Sequence, residues 1–532
     1  MPLDLFTTFT SCLGFMGLVA WISYRKTRGQ TTTQEGYFLA GRGLGGVFIA
    51  GSLLLTNLSA EQMIGLNGSA YAFNLSSMAW EVTAAFAIIV MALVFLPRYL
   101  VGGFTTLPQY LSERFDDRVR RLTVLLFILG YGLITIPSVL YAGSVAVLQL
   151  FDVPALLGIG YSPALVLTIL TIGVVGGLYA IAGGLKAVAV SDTLNGIGLL
   201  IIGVTVPVLG LIELGDGSFT EGVTKLTQQA PHKLNAIGAP TDPTPFSTLF
   251  TGMILANLFY WGTNQYVIQR TLGAKSLAEG QKGVLLSGFF KIVVPFLMMI
   301  PGVIAFHLYG PGLASMDQAY PRLVADVLPT AMAGFFLAVL LGAVFSSFNS
   351  LLNSAATLFC IDIIAPLKRV KPSDAEMIRL ARGTGIVIAL ISFVIAPLLQ
   401  LAPEGLWQVV RQFTGFYNIP IISVVIAAFF MQRVPAEGAI AAILFHLPAY
   451  ALVTFVWDTG VHFIHLYAIL FAIEIGIMWG VGWLRPRTPT PTTHRAPVDM
   501  TPWRWSKWIS GLLAASVVAI YWLFSPLGVG HF

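Results

Sequence analysis

Long apolar stretches separated by short polar loops constrain the fold of this 532-residue chain more than any other feature. A transmembrane helix needs about 20 mainly apolar residues, so stretches of at least about 18 are candidate spans. We therefore expect an all-α polytopic membrane protein of about 14 transmembrane helices, near residues 4–24, 44–72, 77–97, 120–150, 159–183, 187–213, 246–268, 279–310, 328–361, 376–402, 405–430, 434–457, 461–484 and 506–525.

The composition agrees with a membrane protein and disfavours other classes. Charged residues make up 10% of the chain, whereas a soluble domain has roughly a quarter. The net charge of +5 lies in short loops and does not indicate nucleic-acid binding. Cys12 and Cys360 lie far apart in apolar stretches, with neither metal-ligand spacing nor a disulfide framework. We find no paired acid and base or metal constellation in the loops and therefore do not expect an enzyme.

The positions of Lys and Arg predict the orientation in the membrane. Most lie in alternate loops, and those loops are cytoplasmic if the N-terminus is outside. We expect a multi-pass protein of the cell (inner) membrane with both termini extracytoplasmic. The predicted organisation is an extra helix with a cytoplasmic loop (1–43), a first five-helix repeat (44–213), an external loop (214–245), a second, inverted five-helix repeat (246–430), and peripheral C-terminal helices (431–532) with a Pro/Thr-rich cytoplasmic linker (485–503).

The second span is too polar to face lipid along its length. It reads LLLTNLSAEQMIGLNGSAY over residues 53–71 and contains Asn57, Glu61 and Gln62. A helix broken here frees backbone groups, which is tolerated at membrane depth only where the backbone lines a cavity. A buried helix held by polar contacts is the alternative.

A similar passage, ILANLFYWGTNQ at 254–265, opens the second set of five spans. Because five is odd, the second set is inverted relative to the first. Inverted repeats with broken helices at matching positions indicate a solute site near the midplane of the membrane.

Ionisable residues within spans are functional hypotheses by default, because a charge in hydrocarbon is costly. Lys291 lies about twelve residues into its span, which is ~18 Å along the helix and too deep for easy snorkelling. For the others, structural pairing or snorkelling is the alternative. The set comprises Glu61, Glu81, Asp192, Lys291, Arg411 and Glu474.

The ninth span carries a polar stripe in GAVFSSFNSLLNSAAT at 342–357. Ser346, Ser350, Asn353 and Thr357 share one helical face, where hydroxyls often serve only as interhelical contacts. Ser346 and Ser347, facing carbonyls of a broken helix, would supply the oxygen ligands that sodium prefers.

These motifs resemble the sodium:solute symporter family, particularly the bacterial sodium/galactose symporter and the sodium/glucose cotransporters. The resemblance covers the chain to about residue 430 and rests on YFLAGRGL (37–44), NLSAEQMIGLNGSAY (57–71), YAIAGGLKAV (179–188), ANLFYWGTNQYVIQRTLGAKS (256–276), KIVVPFLMMIPG (291–302) and SSFNSLLNSAAT (346–357). It implies a leucine-transporter (LeuT) type fold of five plus five inverted helices, with a broken first helix in each repeat.

The resemblance also implies roles for individual residues. The sodium ligands would be the carbonyls of Leu55, Leu58 and Ala343 with the hydroxyls of Ser346 and Ser347, while Asp192 would guide ion exit with Asn57 in support. The substrate-binding positions would be Gln62, Glu81, Asn257, Lys291 and Tyr260, and the gates would be Leu66, Trp80 and Trp407 outside and Tyr260 with Trp261 inside.

Two positions depart from the sugar transporters that the chain resembles. Ala84 replaces a serine, and Arg411 replaces a glutamine. Lys291 and Arg411 opposite Glu81 would give a local charge near +1, suited to a carboxylated or sulfonated sugar. Pairing of Arg411 with Glu81 would instead leave a neutral sugar. We expect sodium-coupled import of a hexose-like sugar across the bilayer by alternating access; proton coupling through Glu81 or Asp192, and another small organic solute, remain open.

Overall fold

Helices build almost the whole chain in the computed structural model, which describes residues 5–27, 33–313, 315–368, 372–401, 406–488 and 496–530. In these ranges the extended pairings are two isolated bridges, Leu44 with Ala274 and Ser276 with Asp499. The helices up to residue 214 are α1 Leu5–Thr27, α2 Gln34–Leu39, α3 Gly46–Asn57, α4 Ala60–Ala72, α5 Ala79–Val82, α6 Ala84–Val90, α7 Leu96–Gly102, α8 Leu107–Arg114, α9 Asp117–Gly130, α10 Ile136–Phe151, α11 Val153–Leu157 and α12 Tyr161–Leu214.

The second half of the chain is built in the same way. Its helices are α13 Phe219–Gln228, α14 Gly252–Gly262, α15 Gln265–Leu272, α16 Leu277–Met298, α17 Ile300–Tyr309, α18 Ala319–Val327, α19 Thr330–Thr357, α20 Ala365–Leu367, α21 Asp374–Ile395, α22 Leu406–Phe430, α23 Ala436–Ala451, α24 Phe463–Leu484 and α25 Ser506–Leu523. Helices α3, α12, α16 and α19 pack together at the centre, and the C-terminal α23 and α24 pack on α22.

The helix starts follow local sequence signals. Thr106 and Gln109 form a reciprocal capping box at the start of α8, with the Thr106 hydroxyl accepting the Gln109 amide at 3.3 Å. Asp116 accepts the amides of Arg118 and Val119 at 2.9 and 3.1 Å and so caps α9. These contacts satisfy backbone donors that a helix start leaves unpaired.

Ten helical stretches of the described residues are long and apolar enough to cross a membrane, and α3 with α4 makes an eleventh if this bent pair is one span. The polytopic all-α prediction is therefore confirmed. Three of the fourteen predicted spans, near 4–24, 159–183 and 246–268, are not among these eleven. They coincide with α1, the first part of α12, and α14, so fourteen crossings stay a prediction.

Helix α12, Tyr161–Leu214, reverses direction between its first and second halves. Its Gly176 approaches Phe345, and its Asn195 approaches Gly342 on the same helix, α19. A straight helix would separate Gly176 from Asn195 by ~28 Å, whereas Gly342 and Phe345 are ~4.5 Å apart along α19. The two halves of α12 therefore lie side by side, which agrees with separate spans near 159–183 and 187–213.

The external loop and the described part of the linker, residues 485–488 and 496–503, both make local contacts with the helices; residues 489–495 lie outside the described residues. The external loop 214–245 contains α13, and its Lys233 ammonium donates to the carbonyls of Tyr71 and Ala72 at 2.8 and 3.1 Å, at the end of α4. Burial lowers the pKa of Lys233 to about 8. The carbonyl of Asp499, in the second part of the linker, accepts the amide of Leu277 at 2.9 Å. This part of the linker therefore docks at the start of α16.

Candidate solute and ion site

The first predicted helix break is confirmed between α3 and α4, whose axes differ by 57°. The amide of Ser59 donates to the Asn57 carbonyl at 2.9 Å instead of to Leu55, its partner in an unbroken helix. Ser59 itself is extended, with φ −84° and ψ 166°. The break therefore frees the Leu55 carbonyl from its usual amide, deep among buried residues.

The second predicted break is confirmed between α14 and α15. The amides of Thr263 and Asn264 both donate to the Phe259 carbonyl at 2.9 Å, which ends α14. The Tyr131 hydroxyl donates to Asn264 Oδ1 at 2.5 Å and holds the break in place. Both helices that the sequence singled out are thus interrupted, as predicted.

The two breaks face one central cavity with an empty volume of about 520 Å³. The predicted residues Asn57, Gln62, Tyr260, Ser347 and Arg411 all line it. They come from α3, α4, α14, α19 and α22, so residues far apart in sequence converge here. The cavity offers amide, phenol, hydroxyl and guanidinium groups to a solute.

A buried ion pair between Glu81 and Lys291 stands behind this cavity. Lys291 donates to Glu81 Oε2, and Gln62 Nε2 donates to Glu81 Oε1 at 2.9 Å. Both charged side chains are at most 4% exposed. The ammonium of Lys291 also lies 5.6 Å from the centroid of the Trp261 ring. Gln62 therefore links the ion pair to the cavity wall.

Asn257 lies elsewhere. Its Nδ2 donates to Thr83 Oγ1 at 3.0 Å, and both residues line a second cavity of about 1290 Å³ among α6, α14 and α25. That cavity is mainly apolar, with Phe86 and Trp522 in its wall. Asn257 is not part of the lining of the central cavity.

Glu61, one of the mid-span charges that the sequence singled out, was not predicted to belong to the site. It lines the central cavity together with Arg411, with which it interacts electrostatically, and the Arg411 guanidinium lies 4.9 Å from the Trp80 ring centroid. Two carboxylates, Glu61 and Glu81, face two cations, Lys291 and Arg411. The predicted local charge of +1 is therefore wrong, and the formal balance is zero. Glu61 was already conspicuous as a mid-span charge beside the break.

The predicted sodium ligands are all buried. Leu55, Leu58 and Ala343 are at most 1% exposed, and Ser346 and Ser347 are 4% and 2% exposed. In the described part of the chain neither serine hydroxyl has a hydrogen-bond partner of normal geometry, although Ser346 faces the Asp192 carboxylate. Unbonded buried hydroxyls are costly and call for an explanation. A bound cation with oxygen ligands would supply one.

Arg270 follows the predicted span near 246–268, where a cation would be expected in a loop, but the structure places it in the core. It is fully buried, 3.6 Å from Asp192, and its Nε donates to Ser52 Oγ at 2.6 Å. Ser52 in turn donates to Asp192 at 2.7 Å. Arg270 also donates to Ser350 of the α19 stripe, which therefore serves as an interhelical contact. The network joins α3, α12, α15 and α19 and compensates the buried guanidinium.

Of the predicted gate residues, Tyr260 lines the central cavity, Trp261 contacts Tyr260, and Trp80 lies against Arg411. Leu66, Trp80 and Trp261 are buried, and the Tyr260 hydroxyl accepts a hydrogen bond from Tyr266 at 3.0 Å. Trp407 belongs to α22, but its side chain lies outside the part that the structure describes.

Comparisons with known proteins agree with this architecture. The family model described as "Sodium:solute symporter family" matches residues 37–445. The uncharacterized symporter YidK of Escherichia coli (strain K12) is 44% identical over 96% of this chain and 90% of its own length. The sodium/glucose cotransporter of Vibrio parahaemolyticus is 31% identical over 86% of this chain and 87% of its own length.

The fold is also found among solved structures. A substrate-bound outward-open sodium-coupled sialic acid symporter superposes with a TM-score of 0.80 at 21% identity, covering 91% of this chain and 99% of its own. At that identity the likeness concerns the fold, which is LeuT-like as predicted. The chain belongs to the sodium:solute symporter family and is a sodium-coupled membrane transporter of a small solute, not an enzyme.

Proposed function

We propose that this symporter imports a hexose-like sugar with sodium, and that the sugar binds in the central cavity. The observation that carries this proposal is the convergence of Gln62, Tyr260 and Arg411 on one cavity, with Glu81 and Lys291 behind them. Each sugar hydroxyl is both donor and acceptor, which such polar groups match, and an aromatic face covers the apolar side of a sugar ring. The similarity to a sodium/glucose cotransporter supports a sugar.

We propose further that sodium binds between α3 and α19. The carbonyls of Leu55, Leu58 and Ala343 and the hydroxyls of Ser346 and Ser347 are the ligands, and Asp192 guides the ion out. Sodium stabilises the outward-facing arrangement by joining these helices; the helix bundles then rock and Tyr260 clears the inner exit. With a neutral sugar, the single sodium charge moving through 100 mV supplies ~2.3 kcal/mol, enough for a roughly fifty-fold sugar gradient.

The charge of the solute depends on whether the Arg411 guanidinium binds the solute or faces Glu61. With Glu61 counted, the side chains at the site are neutral, and a bound sodium ion makes the total +1. An acidic sugar on the Arg411 guanidinium would cancel that charge, because guanidinium binds carboxylates and sulfonates through paired hydrogen bonds. A neutral sugar would leave Arg411 facing Glu61.

Uptake into proteoliposomes tests the proposal. We expect an inward sodium gradient to drive uptake of at least one labelled sugar among glucose, galactose, a uronate and a sulfonated sugar, and choline in place of sodium to abolish it. If an acidic sugar is the solute, Arg411→Gln lowers its uptake at least tenfold more than that of a neutral sugar. Uptake of none of the four sugars, or equal uptake in sodium and choline, contradicts the proposal.

Proton coupling through Glu81 or Asp192 is the alternative that the sequence left open, and membership of a sodium-coupled family argues against it. A pH gradient without sodium separates the two mechanisms in the same vesicles, because only a proton symporter accumulates sugar under that condition.

We also propose fourteen crossings of the cell (inner) membrane with both termini extracytoplasmic. The distribution of loop Lys and Arg supports that orientation.

A further inference from the structure

Four buried polar side chains on α23 and α24 hold the segment of α22 that carries Arg411. The Tyr467 hydroxyl donates to the Arg411 carbonyl at 2.5 Å, and the Tyr450 hydroxyl donates to the Gln412 carbonyl at 2.7 Å. His446 Nε2 lies 3.1 Å from the Gly415 carbonyl, to which it must donate because a carbonyl only accepts. We call the group His446, Tyr450, Tyr467 and Glu474 the polar clamp.

Glu474 completes the clamp by fixing His446. Its Oε1 lies 2.5 Å from His446 Nδ1, and both side chains are fully buried. Since Nε2 carries a proton for Gly415, the contact with Nδ1 needs one further proton, shared between the imidazole and the carboxyl group. The pair is neutral overall whichever partner holds that proton. Glu474 therefore brings no uncompensated charge into the membrane.

A glycine allows this close approach. A Cβ at Gly415 would lie 2.4 Å from the Tyr450 hydroxyl oxygen and 2.6 Å from Tyr467 Cε1. Any larger residue would push the tyrosines away from α22. The contact therefore depends on hydrogen-bond donors on α23 and α24 and on the space that Gly415 leaves on α22.

Helix packing alone does not require such donors. Apolar side chains of similar size would pack α23 and α24 on α22 without the cost of burying a carboxyl group, an imidazole and two phenols. The three accepting carbonyls, of Arg411, Gln412 and Gly415, all lie within little more than one helical turn. That turn also presents the Arg411 side chain to the central cavity. The matched family region ends at residue 445, so the clamp residues follow it.

We propose that the polar clamp positions Arg411 for the solute, so that helices outside the two repeats help to determine affinity. The clamp residues are positioning residues and do not touch the solute. This inference rests on the proposed function, because it requires Arg411 to contact the solute.

Tyr467→Phe removes one clamp hydroxyl and little else. We expect about a three- to tenfold rise in the apparent KM for sodium-driven uptake of D-galactose or D-glucuronate, with unchanged maximal rate per folded transporter, since one hydrogen bond is lost. Tyr71→Phe is the matched control. The Tyr71 hydroxyl donates to the Gly310 carbonyl at 2.6 Å and accepts the Leu313 amide at 3.1 Å, and neither partner belongs to α22, so its loss should leave KM unchanged.

Glu474 provides a rescue test. In Glu474→Gln the new amide donates to His446 Nδ1, Nε2 keeps its proton for Gly415, and KM should stay within twofold of the wild type. Glu474→Leu leaves Nδ1 without a partner and should raise KM as Tyr467→Phe does. A merely structural role would lower the amount of folded protein and the maximal rate while KM stayed constant, and that result would overturn the clamp.

A double-mutant cycle separates the clamp from the proposed function. If the clamp acts through Arg411, the KM effect of Tyr467→Phe disappears in an Arg411→Gln background. An undiminished effect there, or no effect of Tyr467→Phe in a protein whose KM responds to Arg411→Gln, overturns the clamp alone. If Arg411→Gln leaves the KM of both sugars unchanged, Arg411 does not contact the solute; the clamp then falls, whereas sodium-driven sugar import stands.

Discussion

Glu81 and Lys291 show how single residues depend on one another at this site. Each is almost fully buried, and each carries a charge that its partner compensates. Removing one member of a buried pair leaves an unpaired charge, whereas removing both can be nearly neutral for stability. Stability and transport should therefore respond differently to single and double changes.

We predict that Lys291→Met lowers the free energy of unfolding by about 3–5 kcal/mol, because it leaves the Glu81 carboxylate unpaired. The double variant Glu81→Gln/Lys291→Met should regain most of that stability but no sugar uptake. Thermal unfolding in detergent and vesicle uptake measure the two effects. Lys368→Met, which breaks an exposed pair with Glu376, is the control and should cost less than about 1 kcal/mol. A double variant as unstable as Lys291→Met would contradict this account.

The sequence predicted residues of the central cavity correctly where residue type and position beside a helix break were enough to identify them. Gln62, Tyr260 and Arg411 were predicted for the site and line one cavity. Glu61 and Arg270 were not placed correctly, because the partner of a charge is set by three-dimensional contact. Arg270 follows a helix break, so its sequence position suggests a cation in a loop. In the structure it is buried, and the Asp192 carboxylate and the Ser52 hydroxyl compensate its charge.

At the scale of elements, the breaks were readable because polar residues and glycines interrupt otherwise apolar helices. The division of α12 into adjacent halves also agrees with the predicted spans. The helix within the external loop was not predicted, since that stretch is polar and contains prolines. The docking of the linker on α16 depends on backbone contacts of Asp499 with Ser276 and Leu277, which no composition reveals.

Close packing of α17 on α4 gives a prediction at this scale. A Cβ at Gly302 would lie 2.1 Å from the Asn67 carbonyl oxygen, a backbone atom that cannot rotate away. We expect Gly302→Ala to force the helices apart and cost about 1–3 kcal/mol of stability. Gly383→Ala is the control, because a Cβ there meets nothing within 4 Å and should be neutral or slightly stabilising. Equal melting temperatures for the two variants would show that α17 and α4 are not packed this tightly.

At the scale of the whole molecule, we propose that the broken helix couples the ion site and the solute site through one element. Its α3 side carries two of the three carbonyls proposed for sodium, and its α4 side presents Gln62 to the central cavity. The Ser347 side chain reaches the same cavity from α19, which packs on α3. Ion binding that orders this junction also shapes the solute site. Sodium and the sugar must each raise the affinity for the other by the same factor, because one coupling free energy links the two binding events.

Equilibrium binding of the transported sugar to purified protein, measured across sodium concentrations, tests this coupling most directly. We predict that sodium tightens sugar binding at least fivefold relative to choline, and that Ser346→Ala/Ser347→Ala abolishes this gain while sugar still binds weakly. Ser423→Ala, which removes a buried hydroxyl bonded within its own helix at 2.8 Å, should keep the full effect. Sugar affinity that is identical in sodium and choline, or sodium enhancement that survives in the double serine variant, would contradict the account.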